Sequence, residues 1–144
     1  MTLDLLIRIG IEFLIMYKTS SYEAAVIKIL QAAAIQFERE KQYKDLRNGK
    51  YRFDFYIPSL NVLIEVDGEQ HLKFTSKFYK KREDFLKAQE RDRRKNSYCL
   101  AHGIPLYRIP YWEIENLKTA RDLFQDKFLV KSAFHNDLIK MPKS

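Results

Sequence analysis

The chain has 144 residues, a formal net charge of +7 and a sequence pI of about 9.4. Its length suits a single domain, and its positive charge favours a polyanionic partner, either nucleic acid or an anionic membrane. The single cysteine, Cys99, excludes an internal disulfide framework and fits a reducing compartment, where we expect a buried and unreactive thiol.

The N-terminal stretch, residues 1–18, is predicted to form an apolar helix. Its apolar run from Leu3 to Tyr17 is interrupted by charged residues and is too short to span a bilayer. The run also lacks a basic start and a small-residue cleavage site. We therefore expect no membrane anchorage and no secretion, with a cytoplasmic location. The helix would pack on the domain or on a second subunit, which allows a homodimer.

A second helix and three strands are predicted next. Ser20 is placed as a helix N-cap, with Glu23 in the first turn, and apolar spacing carries this helix to about Ala33. Residues 36–43 mix charged and aromatic side chains and predict a strand or an irregular edge. Alternating or apolar runs predict strands over 51–57 and 62–67, with turns at 47–50 and 58–61. In the second strand we expect Phe53 and Phe55 to share one face with Ile57, opposite Asp54.

The rest of the chain predicts two more helices and one more strand. A long helix covers Glu83 to His102, with Gly103 as its C-cap. A short strand covers Ile104 to Ile109, and a last helix covers Glu113 to Val130, before a polar tail (131–144) that we expect to be flexible. This order favours an α/β fold, with a mixed sheet flanked by helices.

Three carboxylates fall on the second and third predicted strands. Glu65 and Asp67 are two residues apart and project from one face, and strand pairing across the short turn would bring Asp54 to the same edge. Like charges gathered in this way require a cation, and carboxylate oxygens suit Mg²⁺ or Mn²⁺. The alternative is that the acids are solvated, but the third strand is otherwise apolar and should be buried.

Two segments resemble the core motif of PD-(D/E)XK (restriction-endonuclease-like) nucleases. Residues 52–58 read Arg-Phe-Asp-Phe-Tyr-Ile-Pro, and residues 62–71 read Val-Leu-Ile-Glu-Val-Asp-Gly-Glu-Gln-His. The similarity extends over residues 20–112 and is greatest to the branch of very-short-patch-repair and EDxHD homing endonucleases. It implies an αβββαβ core within a single nuclease domain (1–144), with extra N- and C-terminal helices and metal-dependent cleavage of DNA.

The resemblance assigns a role to each motif residue. Asp54 would be the central metal ligand, and Glu65 would occupy the (D/E) position. Asp67, which we also count as a metal ligand, stands where most members of the family have lysine. His71 falls where this branch uses a histidine and is a candidate general base; the alternative is a loop residue that hydrogen-bonds a neighbouring carboxylate.

Two further acids resemble residues of that branch. Glu23 matches a helix glutamate that faces the metal, although an acid in the first turn also stabilises a helix by itself. Asp92 matches the distal aspartate of the EDxHD pattern. Lys95, one turn later, would contact phosphate or pair with a carboxylate. The alternative for Asp92 and Lys95 is the solvated face of a charged helix.

A basic stretch interleaved with aromatic residues follows the acidic strand. Its cations can neutralise DNA phosphates, and its rings can stack on bases. The candidate DNA-binding residues are Lys73, Lys77, Lys80, Lys81, Arg82, Arg91, Arg94 and Lys95. A solvated charged helix is the alternative, and a membrane surface is disfavoured because the stretch lacks a sustained apolar face.

Two functions follow from these patterns. The first is a Mg²⁺-dependent endonuclease that hydrolyses phosphodiester bonds in DNA, with Mn²⁺ as a substitute ion. The second is a catalytically inactive nucleic-acid-binding module that keeps the fold, and the missing motif lysine favours it. The clustered acids favour the enzyme, because a silent relative has no chemical need for them.

Overall fold

The computed structural model describes residues 19–69 and 79–139. Its longer elements follow the predicted order of a helix, three strands, a helix and a strand. They are α1 (Ser21–Ala32), β1 (Glu38–Gln42), β2 (Arg52–Ile57), β3 (Val62–Asp67), α2 (Arg82–His102) and β4 (Leu106–Pro110), followed by the short α3 (His135–Leu138). The predicted N-terminal helix (1–18) and its dimer surface lie outside the described residues.

The four strands form one open mixed sheet in the order β1-β2-β3-β4. β1 pairs with β2, and β2 with β3, in antiparallel fashion, as short connections require. β4 pairs in parallel with β3 because helix α2 carries the chain back across the sheet. The parallel register places Arg108 beside Glu65. The acidic strand β3 is therefore an interior strand, and all of its residues are buried.

Two apolar clusters cover the sheet, one on each face. The first contains residues of α1 and of the chain after β4, together with Phe55, Ile57 and Ile64. The second contains Phe53 and Leu63 packed against α2. Phe53 thus lies in a different cluster from Phe55, so our prediction that these rings share a face is wrong. Both rings are buried, so burial still alternates along β2 although the two rings pack in different clusters.

The predicted caps are found at the start of α1 and at the end of α2. Ser20 and Glu23 form a reciprocal capping box at the start of α1, which satisfies backbone N–H groups that have no partner inside the helix. Gly103 ends α2 with a left-handed φ of 65°, a conformation that glycine adopts without a Cβ penalty. Among the described residues, no helix combines the length and apolar character required to cross a membrane.

The helix predicted from Glu113 to Val130 is wrong. The chain instead forms three short 3-10 helices, Tyr111–Asn116, Ala120–Phe124 and Asp126–Phe128. The carboxylate of Asp122 accepts hydrogen bonds from the backbone N–H groups of Lys118 and Thr119, which starts a new turn where a long helix would have continued. The apolar residues at helical spacing are buried in the first cluster, but the chain that carries them is bent and does not form one helix.

The start of the C-terminal tail is packed as well. We expected a flexible tail from Lys131, but residues 131–139 fold back onto α2, where Arg93 forms a two-pronged ion pair with Asp137. The side chain of Asn96 donates a hydrogen bond to the carbonyl oxygen of Ala133. The polar composition that suggested fraying therefore provides docking contacts instead.

The 3-10 segment should contribute to stability through its buried side chains. Leu123 is 0% exposed in the first cluster, so Leu123→Ala should destabilise the protein by about 2–5 kcal/mol. Leu138, which is 71% exposed, provides a matched control, and Leu138→Ala should change stability by less than about 0.5 kcal/mol. Urea denaturation measures both, and equal effects would contradict the described packing of Leu123.

Candidate active site

Side chains replace backbone hydrogen bonds where β2 and β3 separate. The antiparallel register, continued by one residue from Phe55 and Ile64, places Asp54 opposite Glu65. The backbone N–H of Asp54 donates to Glu65 Oε1 at 2.8 Å, and the backbone N–H of Val66 donates to Asp54 Oδ2 at 2.8 Å. Each carboxylate thus binds the other strand, so both side chains are held in fixed positions at the gap.

Asp54 also belongs to a second group of carboxylates. Oxygen atoms of Glu23 on α1, Glu40 on β1 and Asp54 on β2 all lie within 4.8 Å of one another, and all three residues are half-buried. Glu40 reaches this position from an irregular strand, because its φ of 55° is in the left-handed region that non-glycine residues seldom adopt. Three separate elements therefore deliver one acid each to the same place.

The electrostatics of this group favour an added positive charge. Burial, together with the nearby charges of Glu65 and Glu23, raises the pKa of Asp54 well above its usual range, although Lys95 and the Val66 N–H oppose the shift. Burial also raises the pKa of Glu40, against the influence of Arg39. Negative charge at these two residues is therefore unfavourable without a compensating cation.

The group has dimensions that suit a divalent ion. Ligand oxygens on opposite sides of a Mg²⁺ ion lie about 4.2 Å apart, since each bond is about 2.1 Å long. The oxygens of Glu23, Glu40 and Asp54 span a similar distance, so small side-chain movements would bring them to one ion. Carboxylate oxygens are also the donors that Mg²⁺ and Mn²⁺ prefer. The residues present therefore fit such an ion.

Lys95 lies behind the gap between β2 and β3. Its ammonium nitrogen is 2.9 Å from Glu65 Oε2, donates to the carbonyl oxygen of Arg52 and lies 4.8 Å from the centre of the Phe53 ring. The residue is only 4% exposed, so our prediction of Lys95 as a surface DNA contact is wrong. The alternative that we left open, pairing with a carboxylate, is what is found. Helix α2 thus brings a lysine to strand β3, which lacks the motif lysine.

Asp67 belongs to a different network, centred on Arg108. Arg108 Nη1 donates to Asp67 Oδ1 at 2.8 Å, and Asn136 donates to Asp67 Oδ2 at 3.0 Å. Arg108 Nη2 also lies 3.6 Å from a carboxylate oxygen of Asp92, and Arg108 Nε donates a hydrogen bond to the side-chain oxygen of Asn96. These three partners of the buried arginine come from strand β3 (Asp67) and from helix α2 (Asp92 and Asn96).

This network changes the roles of two predicted residues. Asp67 is fully buried, and each of its oxygens already accepts a hydrogen bond, so the prediction of Asp67 as a metal ligand is replaced by one of an anchor for Arg108. Asp92 is also buried beside Arg108 and away from the Glu23–Glu40–Asp54 group. The alternative that Asp92 lies on a solvated helix face is wrong, and a direct catalytic role stays a prediction without geometric support.

The predicted DNA-binding cations have different environments. Lys80, Lys81 and Arg82 are exposed at and before the start of α2, as a phosphate-binding surface requires. Arg91 is half-buried, and the exposed Arg94 pairs with Glu90 on the same helix. His71, Lys73 and Lys77 lie outside the described residues.

Three contributors to this region were missed in the sequence. Glu40 and Arg39 lie in a polar strand without a motif, and the irregular φ of Glu40 has no sequence signal. Arg108 did have one, because it is a single charged residue inside the apolar strand Leu106–Pro110, beside a strand that carries acids. Glu23 was predicted from the sequence with two interpretations, and the structure shows it in both positions: it caps α1 and belongs to the acidic group.

The buried thiol behaves as expected. Cys99 is buried in the second apolar cluster, and burial raises the pKa of its thiol to about 12. A thiol of this kind is protonated at neutral pH and is a poor nucleophile. Cys99 therefore contributes packing.

Three viral proteins resemble part of the chain. "Uncharacterized protein 307L" of Invertebrate iridescent virus 6 is 36% identical over 67 residues, which are 45% of this chain and 34% of the relative. "Uncharacterized protein 094L" of Frog virus 3 is 42% identical over 59 residues, 40% of this chain and 38% of the relative. "Uncharacterized protein 033L" of Invertebrate iridescent virus 3 is 31% identical over 58 residues, 40% and 30% respectively. The matched part spans about a third of these curated relatives.

No protein-family model matches the chain, and no solved structure matches it. The names of the three viral relatives state no activity. The geometry of the site is therefore what indicates a function.

The shifted pKa of Asp54 predicts an unusual pH dependence of stability. A carboxyl pKa that is raised on folding means that stability falls as the pH rises from about 4 through the folded-state value. Asp54→Asn removes this ionisation. In the presence of EDTA, the Tm of the variant minus the Tm of the wild type should therefore increase between pH 5 and pH 8, by on the order of a few degrees. A difference in Tm that is constant over this range would contradict the raised pKa.

The Lys95–Glu65 pair predicts an asymmetric mutational effect. Lys95→Met leaves the carboxylate of Glu65 buried without the lysine cation. This change should lower the free energy of unfolding by about 3–5 kcal/mol. The double variant Glu65→Gln with Lys95→Met should recover much of this loss. Lys87→Met changes an exposed lysine of the same helix and should have an effect below about 0.5 kcal/mol. Denaturation curves measure all three, and additive losses in the double variant would contradict the pairing.

Proposed function

We propose that this chain is a metal-dependent endonuclease that hydrolyses phosphodiester bonds in DNA and that its αβββαβ element order is a restriction-endonuclease-like core. The observation that carries the proposal is the convergence of Glu23, Glu40 and Asp54 beside the buried pair of Glu65 and Lys95. A site that collects acids at an unfavourable electrostatic cost has a use for a divalent cation. The net charge of +7 suits a polyanionic substrate.

The metal set in this proposal differs from the one that the motif alone predicts. Asp54 stays as the central ligand, with Glu23 and Glu40 as its partners, and Asp67 is left out. Glu65 contributes through its position between the Asp54 N–H and Lys95, and it directs one oxygen toward each. A Mg²⁺ or Mn²⁺ ion held by Glu23, Glu40 and Asp54 would supply a lowered pKa for a water molecule and positive charge to offset the negative charge that develops on the phosphate.

The remaining residues of the site hold charges and protons in place. Lys95 favours the ionised form of Asp54, which is the form that a metal requires. Exposed Lys80, Lys81 and Arg82 would bind phosphates of the DNA backbone and place it near the start of α2. His71 is proposed as the general base that accepts a proton from the attacking water.

One specific observation favours the alternative of an inactive nucleic-acid-binding module. Glu65 and Asp67, two of the three motif acids, form internal ion pairs with Lys95 and Arg108. In an inactive relative, such pairs would maintain the fold without a metal. Against this alternative, gathering the carboxyl groups of Glu23, Glu40 and Asp54 in one place gives no benefit to a protein that only binds DNA.

Cleavage of plasmid DNA distinguishes the two functions. Purified protein with Mg²⁺ or Mn²⁺ should nick or linearise supercoiled plasmid, and EDTA should abolish the reaction. Asp54→Asn should lower the rate by at least about 100-fold, since a metal ion supplies several kcal/mol of transition-state stabilisation. Asp126→Asn, at an exposed acid far from the site, provides the matched control and should retain the wild-type rate.

A panel of substrates separates the remaining outcomes. Duplex, mismatched, branched and single-stranded DNA, with an RNA duplex, should be tested under the same conditions for binding and for cleavage. DNA binding without cleavage of any substrate would support the inactive module. Absence of both binding and cleavage would exclude both functions.

A further inference from the structure

A buried arginine lies next to the acidic group. The side chain of Arg39 on β1 is 0% exposed, and its guanidinium lies 4.9 Å from the centre of the Phe55 ring. Burying a guanidinium costs free energy unless its donors are used. The groups around Arg39 therefore indicate which contacts compensate for the burial of its charge.

The guanidinium contacts each element that carries one of the acids. Its Nε donates to the carbonyl oxygen of Asp54 on β2 at 3.3 Å. Its Nη2 lies 3.5 Å from Glu23 Oε2 on α1, and its Nη1 donates to the hydroxyl of Thr19 just before that helix, at 3.3 Å. Arg39 is itself the neighbour of Glu40 on β1, whose Oε1 lies 4.0 Å from Nη2. One planar group thus joins α1, β1 and β2.

These contacts use the direction of the arginine donors as well as the charge. A lysine ammonium could offset the charge of Glu23, but it is a point charge on a flexible stem. The fork of a guanidinium fixes the angle between its donors, so the hydrogen bonds of Nε to the Asp54 backbone and of Nη1 to Thr19 fix where Nη2 lies beside Glu23, which it attracts as an ion pair. As a cation, the same group repels a second cation, so charge alone would weaken metal binding.

We propose that Arg39 is a positioning residue for the metal ion, holding Glu23 on α1 and Asp54 on β2 at the separation that a shared ion requires. The proposal rests on the proposed function, because it assumes that the acidic group binds a divalent ion. Residues that orient metal ligands typically contribute about 10–100-fold to metal affinity. Here the gain from orientation must exceed the repulsion between guanidinium and ion.

Calorimetric titration with Mn²⁺ alone tests the proposal on the full chain. Arg39→Lys keeps the charge but loses the fork, and should weaken Mn²⁺ binding by about 10-fold, with Arg39→Met weaker by up to about 100-fold. Thr19→Val removes the hydroxyl group that accepts a hydrogen bond from Arg39 Nη1. This variant should weaken Mn²⁺ binding by a few-fold and keep the fold. Arg121→Met changes an exposed arginine and should bind Mn²⁺ as the wild type does.

A double-mutant cycle separates positioning from a general effect on the fold. If Arg39 acts through Glu23, Arg39→Lys should weaken binding much less when Glu23→Gln is already present, whereas effects that only reduce stability should combine independently. The electron paramagnetic resonance spectrum of bound Mn²⁺ should also change in Arg39→Lys, because the ligands around the ion are rearranged.

Each outcome has one meaning. Unchanged Mn²⁺ affinity in folded Arg39→Lys and Thr19→Val, or tighter binding in Arg39→Met, would overturn the positioning role while leaving the metal site in place. Absence of Mn²⁺ binding to the wild type would overturn the metal site, and the role of Arg39 would fall with it. Loss of binding in Asp54→Asn, together with the graded losses above, supports both.

Discussion

Carboxylates can be gathered in a protein interior only if cations or protons compensate for their charge, and this constraint organises the sheet of this protein. Among the residues that the structure describes, six acids lie near the junction of α1, β1, β2, β3 and α2, and three buried cations accompany them. Arg108 pairs with Asp67 and Asp92, and Lys95 pairs with Glu65. The third cation, Arg39, lies beside Glu23.

The acids left with the least compensation are Asp54 and Glu40. Burial raises the pKa of both carboxyl groups. The cost of ionising a carboxyl group is therefore high at this position, on the Glu23 side of β2. An incoming divalent ion would complete the charge balance of the site, and this is why the metal proposal is centred on Asp54 and not on the more deeply buried Asp67.

Local patterns predicted the elements but not the partners of the charged residues. Alternation, caps and turns give the helix, three strands, helix and strand in the right order, because each signal depends on neighbours within a few residues. The failures involve long-range contacts. Asp67 is satisfied by Arg108 and Asn136, which are 41 and 69 residues away in the sequence, and no local pattern identifies such partners.

The acidic group shows the same limit. Asp54 and Glu23 could be identified from a motif, but Glu40 required the left-handed φ that turns its side chain toward them. The predicted last helix failed for a local reason. Its apolar residues at helical spacing do face the core, yet the carboxylate of Asp122 binds the backbone and ends the helical path. In both cases one residue changed the local geometry, Glu40 through its backbone and Asp122 through its side chain.

The capping box of α1 has a thermodynamic consequence. The carboxylate of Glu23 closes the helix start through the backbone N–H of Ser20, and the same carboxylate belongs to the acidic group. Two equilibria that share one chemical group are linked, so each shifts the other by the same factor. Ordering of the first turn of α1 and binding of the proposed ion would thus be coupled in both directions, so an ion bound at the sheet would also stabilise the helix start at Ser20.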